Sequence, residues 1–597
     1  MIPQFTVDFE TTTSRQDENS TRVWLWGIYD IYQDYFEWGK TIEEFFRGIF
    51  RNKKSICYFR NLKFDGSFIL YYCLVNGYEH TTRQYPKEKQ VATLIDDMGH
   101  FYSIKIKDDK GNVVEFRDSA KIIPLSIAET PKAFGLEESK GEIDYHKIRP
   151  LGYEPDANEL DYLKHDISID AKALRFFFDK GLQKMTQGSN ALFDFKLICK
   201  NSGYEFTKIF PPLQEEIDLF LRPSYKGGYV LLNRIYKNKT VENGIVADVN
   251  SLFPSRMYYC QLPYGEPTYF SSKYQNDKMK PLYVQRFRCM FELKKGKLPM
   301  LQIKGSYKYK GNEYLTSSHY EIEELTLCNV DLEMFFDHYH VDCVEYLDGY
   351  KFKTTIIEQF VTYIDKWNEI KVMATNMKNT GLRTVAKYML NTLYGKFGTR
   401  LDVCNKIPYI NEEKDKLSFY ETERTTRQGV YLPVAIFITS YARKMTIETS
   451  QKVRDYSLKK YGIDKYIYSD TDSIHTTLTK EEFSEIAEVH ATNLGAWDIE
   501  KEFEKAKYIR QKCYIYTVKG KNKVTVAGMP KSMHELVTYN NFKENTTYTK
   551  TEGHYEIYEN GKLTESGISK DNNDGKLRFK QVSGGALLLN TDFTIKK

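Results

Sequence analysis

Residues 5–13, FTVDFETTT, alternate apolar and polar side chains with the period of a half-buried strand, which sets Asp8 and Glu10 on one face. In ICYFRNLKFDGSFIL, residues 56–70, a polar turn with Asn61 and Asp65 precedes an apolar helix or strand. Residues 158–178, NELDYLKHDISIDAKALRFFF, carry the helical period, and Tyr162 and Asp166, four apart, share a helix face. Further on, GIVADVNSLFPSRM (244–257) reads as an apolar strand ending at Asp248. A small-residue turn follows, with the backbone amides of Asn250 to Phe253 free to face an anion.

Two later segments are also patterned. On a helical wheel of GLRTVAKYMLNTLYGKFG (381–398), Arg383, Lys387, Asn391 and Tyr394 fall within about 80° of one another. Val385, Ala386, Met389, Leu390 and Leu393 take the other side. KYIYSDTDSIHTTL (465–478) favours a strand or tight hairpin with Asp470 and Asp472 one residue apart. Lys371 ends the preceding helical segment FVTYIDKWNEIK, and YIRQKCYIY (508–516) alternates so that Arg510, Lys512 and Tyr514 share a face.

Composition narrows the class. The chain has 597 residues, enough for several domains, and its 41% hydrophobic and 28% charged content is that of a folded soluble protein. A net charge of +5 permits a nucleic-acid surface but does not demand one. The nine cysteines form no C-x-x-C pair, so a zinc ribbon is not expected and a reducing compartment is. The start, MIPQFTVDFE, is no signal peptide, and the most apolar run, SFILYYCLV (67–75), is too short to cross a bilayer, so the chain is read as cytosolic and without membrane contact.

The acidic pairs carry the candidate chemistry. Two carboxylates about 5 Å apart repel by roughly 3 kcal/mol at an effective dielectric of 20, which a divalent cation would reverse. Taken alone, a D-x-D is weak evidence for that, since Asp is at home in a solvated turn. Four acids in strand–turn–helix order (Asp8, Glu10, Asp65, Asp166) suit a two-ion nuclease, with Asn61 and Tyr162 aligning strand and water. Downstream, Asp248 can meet Asp470 and Asp472 across a sheet, while Lys371, Arg383 and Lys387 supply cations and Tyr394 a flat ring for a nucleoside triphosphate. SYKGGY (224–229) joins a cation to paired glycines, allowing close backbone approach to a phosphate chain.

Taken together, these segments resemble the family B DNA polymerases, and more narrowly the protein-primed enzymes of small tailed phages with linear genomes. DFETTT, NLKFDG and YLKHD resemble the three exonuclease motifs, YKGG the interdomain linker, and DVNSLFP, AKYMLNTLYGK, YSDTDS and KCY the four polymerase motifs, in order along nearly the whole chain. The fold implied is a multi-domain α/β chain: an RNase H-like 3′–5′ exonuclease domain plus a right-hand polymerase with two insertions. The implied spans are exonuclease 1–187, palm 188–256 and 429–531, first insertion 257–355, fingers 356–398, second insertion 399–428 and thumb 532–597.

The resemblance implies two Mg²⁺ ions per active site, with Mn²⁺ as a substitute. In the exonuclease, Asp8, Glu10, Asp65 and Asp166 would bind metal, Tyr162 orient the water and Lys140 assist. Thr11, Asn61, Phe64, Ser119 and Tyr145 would contact the frayed strand. In the polymerase, Asp248, Asp470, Asp472 and the Val249 carbonyl would form the metal site. Phe253, Lys371, Arg383, Lys387, Asn391 and Tyr394 would line the dNTP site, Lys512 and Tyr514 would hold the primer end, and Tyr225, Lys226, Gly227 and Gly228 would grip DNA. Implied partners are template, primer and displaced strand, dNTPs and a terminal protein, the enzyme being a monomer or a heterodimer with that protein in the bacterial host cytoplasm.

The insertions imply terminal-protein contact, encirclement of DNA and strand displacement. Five positions depart from the subgroup pattern. Lys226 stands where Arg is usual, Phe253 where Tyr is, Ser469 where Cys is and Arg60 where His is; Glu142 in place of Asp leaves no metal-ligand role carried over. Two rivals remain at this stage: a family B polymerase primed only by nucleic acid, and a DNA-binding nuclease whose polymerase half is inert.

Overall fold

The computed structural model describes residues 2–138, 141–145, 147–551, 553–569 and 574–596. The N-terminal part is built on an eight-stranded mixed sheet. At its centre the strand Gln4–Thr11 runs antiparallel to Val23–Asp30 and parallel to Lys54–Phe59, which is itself parallel to Val113–Asp118. Thr6, on the face shared with Asp8 and Glu10, donates to the Ile167 carbonyl of the helix Ala157–Phe178 at 2.8 Å. That approach needs Gly27 on the neighbouring strand, because a Cβ there would sit 2.8 Å from the Leu163 side chain. Val7 and Phe9 point the other way, into a core with Phe45, Phe59 and Phe68. The expected strand and helices therefore form, with one adjustment: Asp65 lies inside the first turn of the helix Leu62–Val75 rather than in the turn before it.

The second large unit is a fully antiparallel seven-stranded sheet. Its strand Thr240–Val249 lies between Trp497–Arg510 and Ser473–Thr476, and the long helix Leu432–Tyr461 packs across it, with Ser450 and Ser469 hydroxyls 2.9 Å apart. The helices Glu358–Asn376 and Thr380–Phe397 form an antiparallel-looking pair anchored on the helix Gln187–Asn201. Phe195 stacks on Phe360 at 4.6 Å, and Asp194 accepts from Trp367 Nε1 at 2.8 Å and Lys366 Nζ at 2.6 Å.

Between the halves of the large antiparallel sheet, the chain forms a separate four-stranded sheet from Leu262–Ser271, Tyr339–Thr355, Leu282–Leu293 and Glu323–Cys328. A small hairpin, Lys406–Asn411 with Lys416–Glu421, rests on the N-terminal unit through Phe101–Phe419. The C-terminal part is all β, and its hairpin Lys576–Val582/Gly585–Thr591 reaches back to the N-terminal unit. At that contact Thr21 N–H bonds the Ser583 carbonyl at 2.9 Å, and Asp415 of the small hairpin accepts from both Tyr71 and Ser583. The three units thus close on one another at Tyr71, Asp415 and Ser583. This multi-domain α/β architecture with an exonuclease-type sheet and a polymerase-type sheet is the fold class expected from the sequence.

Candidate functional site

The first cluster sits beyond the C-terminal ends of the parallel strands Gln4–Thr11 and Lys54–Phe59, where open α/β sheets place ligands. Glu10, Asp65 and Asp166 are buried and Asp8 is half-buried. Burial holds the Asp65 carboxyl well above the usual range, and the charges of Asp8 and Glu10 push the same way. Its Oδ1 is buried with no hydrogen-bond partner. Tyr162, four residues before Asp166, shares a 2.7 Å hydroxyl–hydroxyl contact with Tyr145, and burial raises both phenols.

The strand-contact residues are less uniform. Asn61 is exposed and takes a left-handed backbone conformation (φ +66°), and Phe64 and Thr11 are half-buried beside the cluster. Ser119 is fully buried: its hydroxyl donates to Asp170 Oδ2 at 2.5 Å, and the other oxygen of that carboxylate pairs with Arg60. Ser119 also donates to the Phe59 carbonyl at 3.2 Å, so the sheet as well as the Arg60–Asp170 pair holds it in the interior. Lys140 lies outside the described residues.

The second cluster is built by sheet register. Asp248 pairs with Ser473, and the Val249 N–H bonds the Asp472 carbonyl at 2.8 Å, which brings residues more than 200 positions apart in sequence side by side. The YSDTDS segment is a hairpin. Thr471 takes φ +62° and the Asp472 N–H returns to the Asp470 carbonyl at 2.7 Å, so the two aspartates flank a turn instead of sharing one strand face. Burial raises the Asp248 carboxyl to about 7, with Asp472 and Glu500 adding to it and Lys501 and Lys387 opposing. Burial also raises Asp472, with Asp470 and Glu500 contributing. Glu500 was not visible as a member of this cluster from sequence; the Thr240–Val249/Trp497–Arg510 pairing brings it there.

Asp470 is held differently. Lys512 Nζ reaches both of its oxygens, at 2.7 and 2.9 Å, and the Tyr468 hydroxyl donates to Oδ2 at 3.1 Å while accepting from the Lys512 N–H. Lys512 has φ +54° and, with Gln511, makes the turn of the hairpin joining Arg510 to Cys513. Arg510, Lys512 and Tyr514 therefore do not share a strand face as the alternation suggested, and Arg510 instead bonds the Lys596 carbonyl. The amide of Asn250 is not free either: it donates to the Ala496 carbonyl at 2.9 Å.

Across from the carboxylates, the Thr380–Phe397 helix matches its wheel. Arg383, Lys387 and Asn391 are exposed, and Val385, Ala386, Met389, Leu390 and Leu393 are buried. Lys371 stands close enough to Arg383 and Lys387 that both depress its ammonium, after burial. Phe253 and Tyr394 stack at 4.1 Å with 19° between rings, and burial, with Tyr225 and Asp472 nearby, lifts the Tyr394 phenol to about 12. The segment from Tyr225 to Tyr229 packs on the turn between Asp470 and Asp472: the Thr471 N–H bonds the Tyr229 carbonyl at 2.7 Å, and the Tyr225 ring lies over Gly398. Lys226, half-buried by surface area, sits among Asp331 and Arg443, and burial lowers its ammonium to about 8.

Two clusters of buried, mutually repelling carboxylates are suited to divalent cations, since each ion offsets the charge that burial disfavours. Among the described residues no group of three or more His, Cys, Asp or Glu is preassembled for a metal ion. The donor set fits hard oxygen-liganded ions. The basic helix face and the stacked rings opposite suit a nucleoside triphosphate.

Comparison with known proteins agrees with this layout. The family model described as "DNA polymerase type B, organellar and viral" matches residues 47–155 and 149–490. The DNA polymerase of Bacillus phage phi29 is 40% identical over 99% of both chains, and that of Streptococcus phage Cp-1 is 30% identical over 99% of this chain and 98% of its own. The solved phi29 DNA polymerase complexed with primer-template DNA and incoming nucleotide substrates superposes with a TM-score of 0.87 at 38% identity, covering 100% of each chain.

Proposed function

The chain belongs to the type B DNA polymerases of the organellar and viral kind and is a phage DNA polymerase, and on that footing we propose that it is a protein-primed, proofreading replicase. The observation that carries this reading is the meeting of Asp248 and Asp472 opposite Lys371, Arg383 and Lys387. Asp248, Asp472 and the Val249 carbonyl would hold two Mg²⁺ ions, or Mn²⁺ in their place, with Asp470 completing the charge. When bound, such ions lower the pKa of an attacking hydroxyl and offset charge on the leaving pyrophosphate.

The chain's own residues then divide the remaining work. Lys371, Arg383 and Lys387 neutralise the triphosphate and orient it for in-line attack. The Phe253 ring, braced by Tyr394, closes the space where a ribose 2′-hydroxyl would lie. Asn391, exposed on the same helix face as Lys387, would border the incoming nucleotide. Lys512, pinned by Asp470, and Tyr514 hold the primer terminus at the mouth of the carboxylate pair. The linker residues Tyr225 to Gly228 would follow the DNA backbone toward the other site.

In the N-terminal unit, Asp8, Glu10, Asp65 and Asp166 would hold the ions for 3′–5′ hydrolysis. Tyr162, and Lys140 outside the described residues, would place the water. Thr11, Asn61, Phe64 and Tyr145 would bind the unpaired 3′ end, and Ser119 would support that surface from beneath. The terminal protein would present a side-chain hydroxyl where the primer 3′-hydroxyl otherwise stands, so one site serves both alcohols. The four-stranded sheet of the first insertion and the small hairpin of the second would contact that protein and encircle DNA during strand displacement. The test is primer extension and 3′-end excision on the same preparation. Extension should be lost in D248N and D472N, and excision lost in D166A with extension retained.

A further inference from the structure

One charged pair in the N-terminal unit lies outside both carboxylate clusters yet organises the segment that reaches the first. Arg149 is 2% exposed and Glu159 5%. The Arg149 guanidinium donates to Glu159 Oε1 from Nε at 3.2 Å and from Nη2 at 2.9 Å. It also donates to the carbonyls of Lys147, from Nη1 at 3.1 Å, and Asp144, from Nη2 at 2.8 Å. Its face lies 4.2 Å over the Trp24 ring. The Arg149 backbone is fastened as well, since Gln16 bonds both its N–H, at 3.1 Å, and its carbonyl, at 2.9 Å.

The consequence is geometric. The two carbonyls that Arg149 gathers flank Tyr145 in sequence, and Glu159 stands one helical turn before Tyr162. A single buried guanidinium therefore ties the strand-facing loop to the helix that carries Tyr162 and Asp166. Tyr145 itself is 46% exposed, and it meets Tyr162 through a hydroxyl contact and an edge-on ring contact at 6.5 Å. A planar five-donor fork reaches one carboxylate and two carbonyls from separate nitrogens in fixed directions, whereas a lysine offers its three donors from a single point.

We infer that Arg149, seated on Glu159, is a positioning residue for the excision reaction: it holds Tyr145 against Tyr162 so that an unpaired 3′ end is bound in register with the carboxylates. The inference rests on the exonuclease reading above. Arg149 touches neither substrate nor metal in this account, and nothing connects it to the polymerase cluster.

The test is steady-state excision of an end-labelled single-stranded oligonucleotide with Mg²⁺, alongside primer extension, by the full-length chain. R149M/E159Q is the main variant, because it leaves no unpaired buried charge and keeps an acceptor for the helix cap. Excision kcat/KM is expected to fall about tenfold or more, with extension within twofold of the parent chain. R149K should fall between. Added to Y145F to make the combined variant, R149M/E159Q should not multiply the losses, since both changes remove the same contact, whereas a merely structural role would give independent, multiplying effects. Unchanged excision in R149M/E159Q, or multiplying losses in the combined variant, would overturn the inference while leaving the exonuclease reading intact. Absence of excision by the parent chain would overturn both.

Discussion

Gly228 lies so close to the Asp470–Asp472 hairpin that a Cβ added to it would sit 2.5 Å from the Thr471 hydroxyl oxygen and 2.6 Å from its Cγ2. Thr471 separates Asp470 from Asp472, so the linker and the acidic turn form one mechanical piece. G228A must push that turn and is expected to lower primer extension at least tenfold. G227A adds the same methyl with nothing within 4 Å of its Cβ, so it reports any effect on the linker's grip of DNA without the push on Thr471. Equal extension by the two variants would show that the contact does not matter.

Phe253, stacked on Tyr394, is the proposed barrier to ribonucleotides. F253V removes the ring while keeping an apolar side chain. Discrimination between dNTP and rNTP, read as the ratio of kcat/KM values, should fall by roughly 10- to 100-fold. F253Y should discriminate at least as well as the parent. An unchanged ratio in F253V places the barrier elsewhere.

Asp248 gives a pH signature. Its carboxyl, near 4 when unfolded, is raised to about 7 in the folded chain, first by burial and then by Asp472 and Glu500. The folded state therefore binds the proton more tightly, and metal-free stability declines as pH rises from about 4 to about 7, staying low above that. D248N removes the penalty. Because the group is half-buried, its worth is discounted to on the order of 1–2 kcal/mol. In a chelator, D248N should melt higher than the parent at pH 8, by more than at pH 5, and Mg²⁺ should narrow the gap by stabilising the parent. A lower melting point for D248N at pH 8 in chelator would refute this.

Several of these features were legible in the sequence and others were not, for identifiable reasons. The Thr380–Phe397 helix keeps its wheel because its polar and apolar faces are set by period alone. The alternation read through YSDTDS and YIRQKCYIY failed at Thr471 and Lys512, both with positive φ, a backbone region that a β-branched or long side chain seldom enters. Tertiary bonds to Tyr229, Thr446 and Tyr468 hold those turns, and no local pattern announces them. Glu500 reaches the polymerase cluster through a register containing an irregularity between Val246 and Ala247, and Ser119 is held in the interior by the Phe59 carbonyl and the Arg60–Asp170 pair. Both depend on distant partners.

Asp65 separates the two proposed activities. It is buried and shares no element with the Asp248 cluster. D65A should reduce excision of a mismatched 3′ end by about 100-fold or more, with dNTP incorporation at a matched end within twofold. A parallel loss of both activities would mean that the clusters are not independent.

Protein priming is the most specific part of the proposed function, and it has a direct measurement. The chain is mixed with labelled dATP, Mg²⁺ and a purified candidate terminal protein, such as a small basic protein encoded beside this gene, and the protein fraction is assayed for covalently bound dAMP. A labelled protein–dAMP product that disappears in D248N and D472N is expected. No labelled protein from a chain that extends a DNA primer normally would contradict protein priming and leave a polymerase that starts only on nucleic acid.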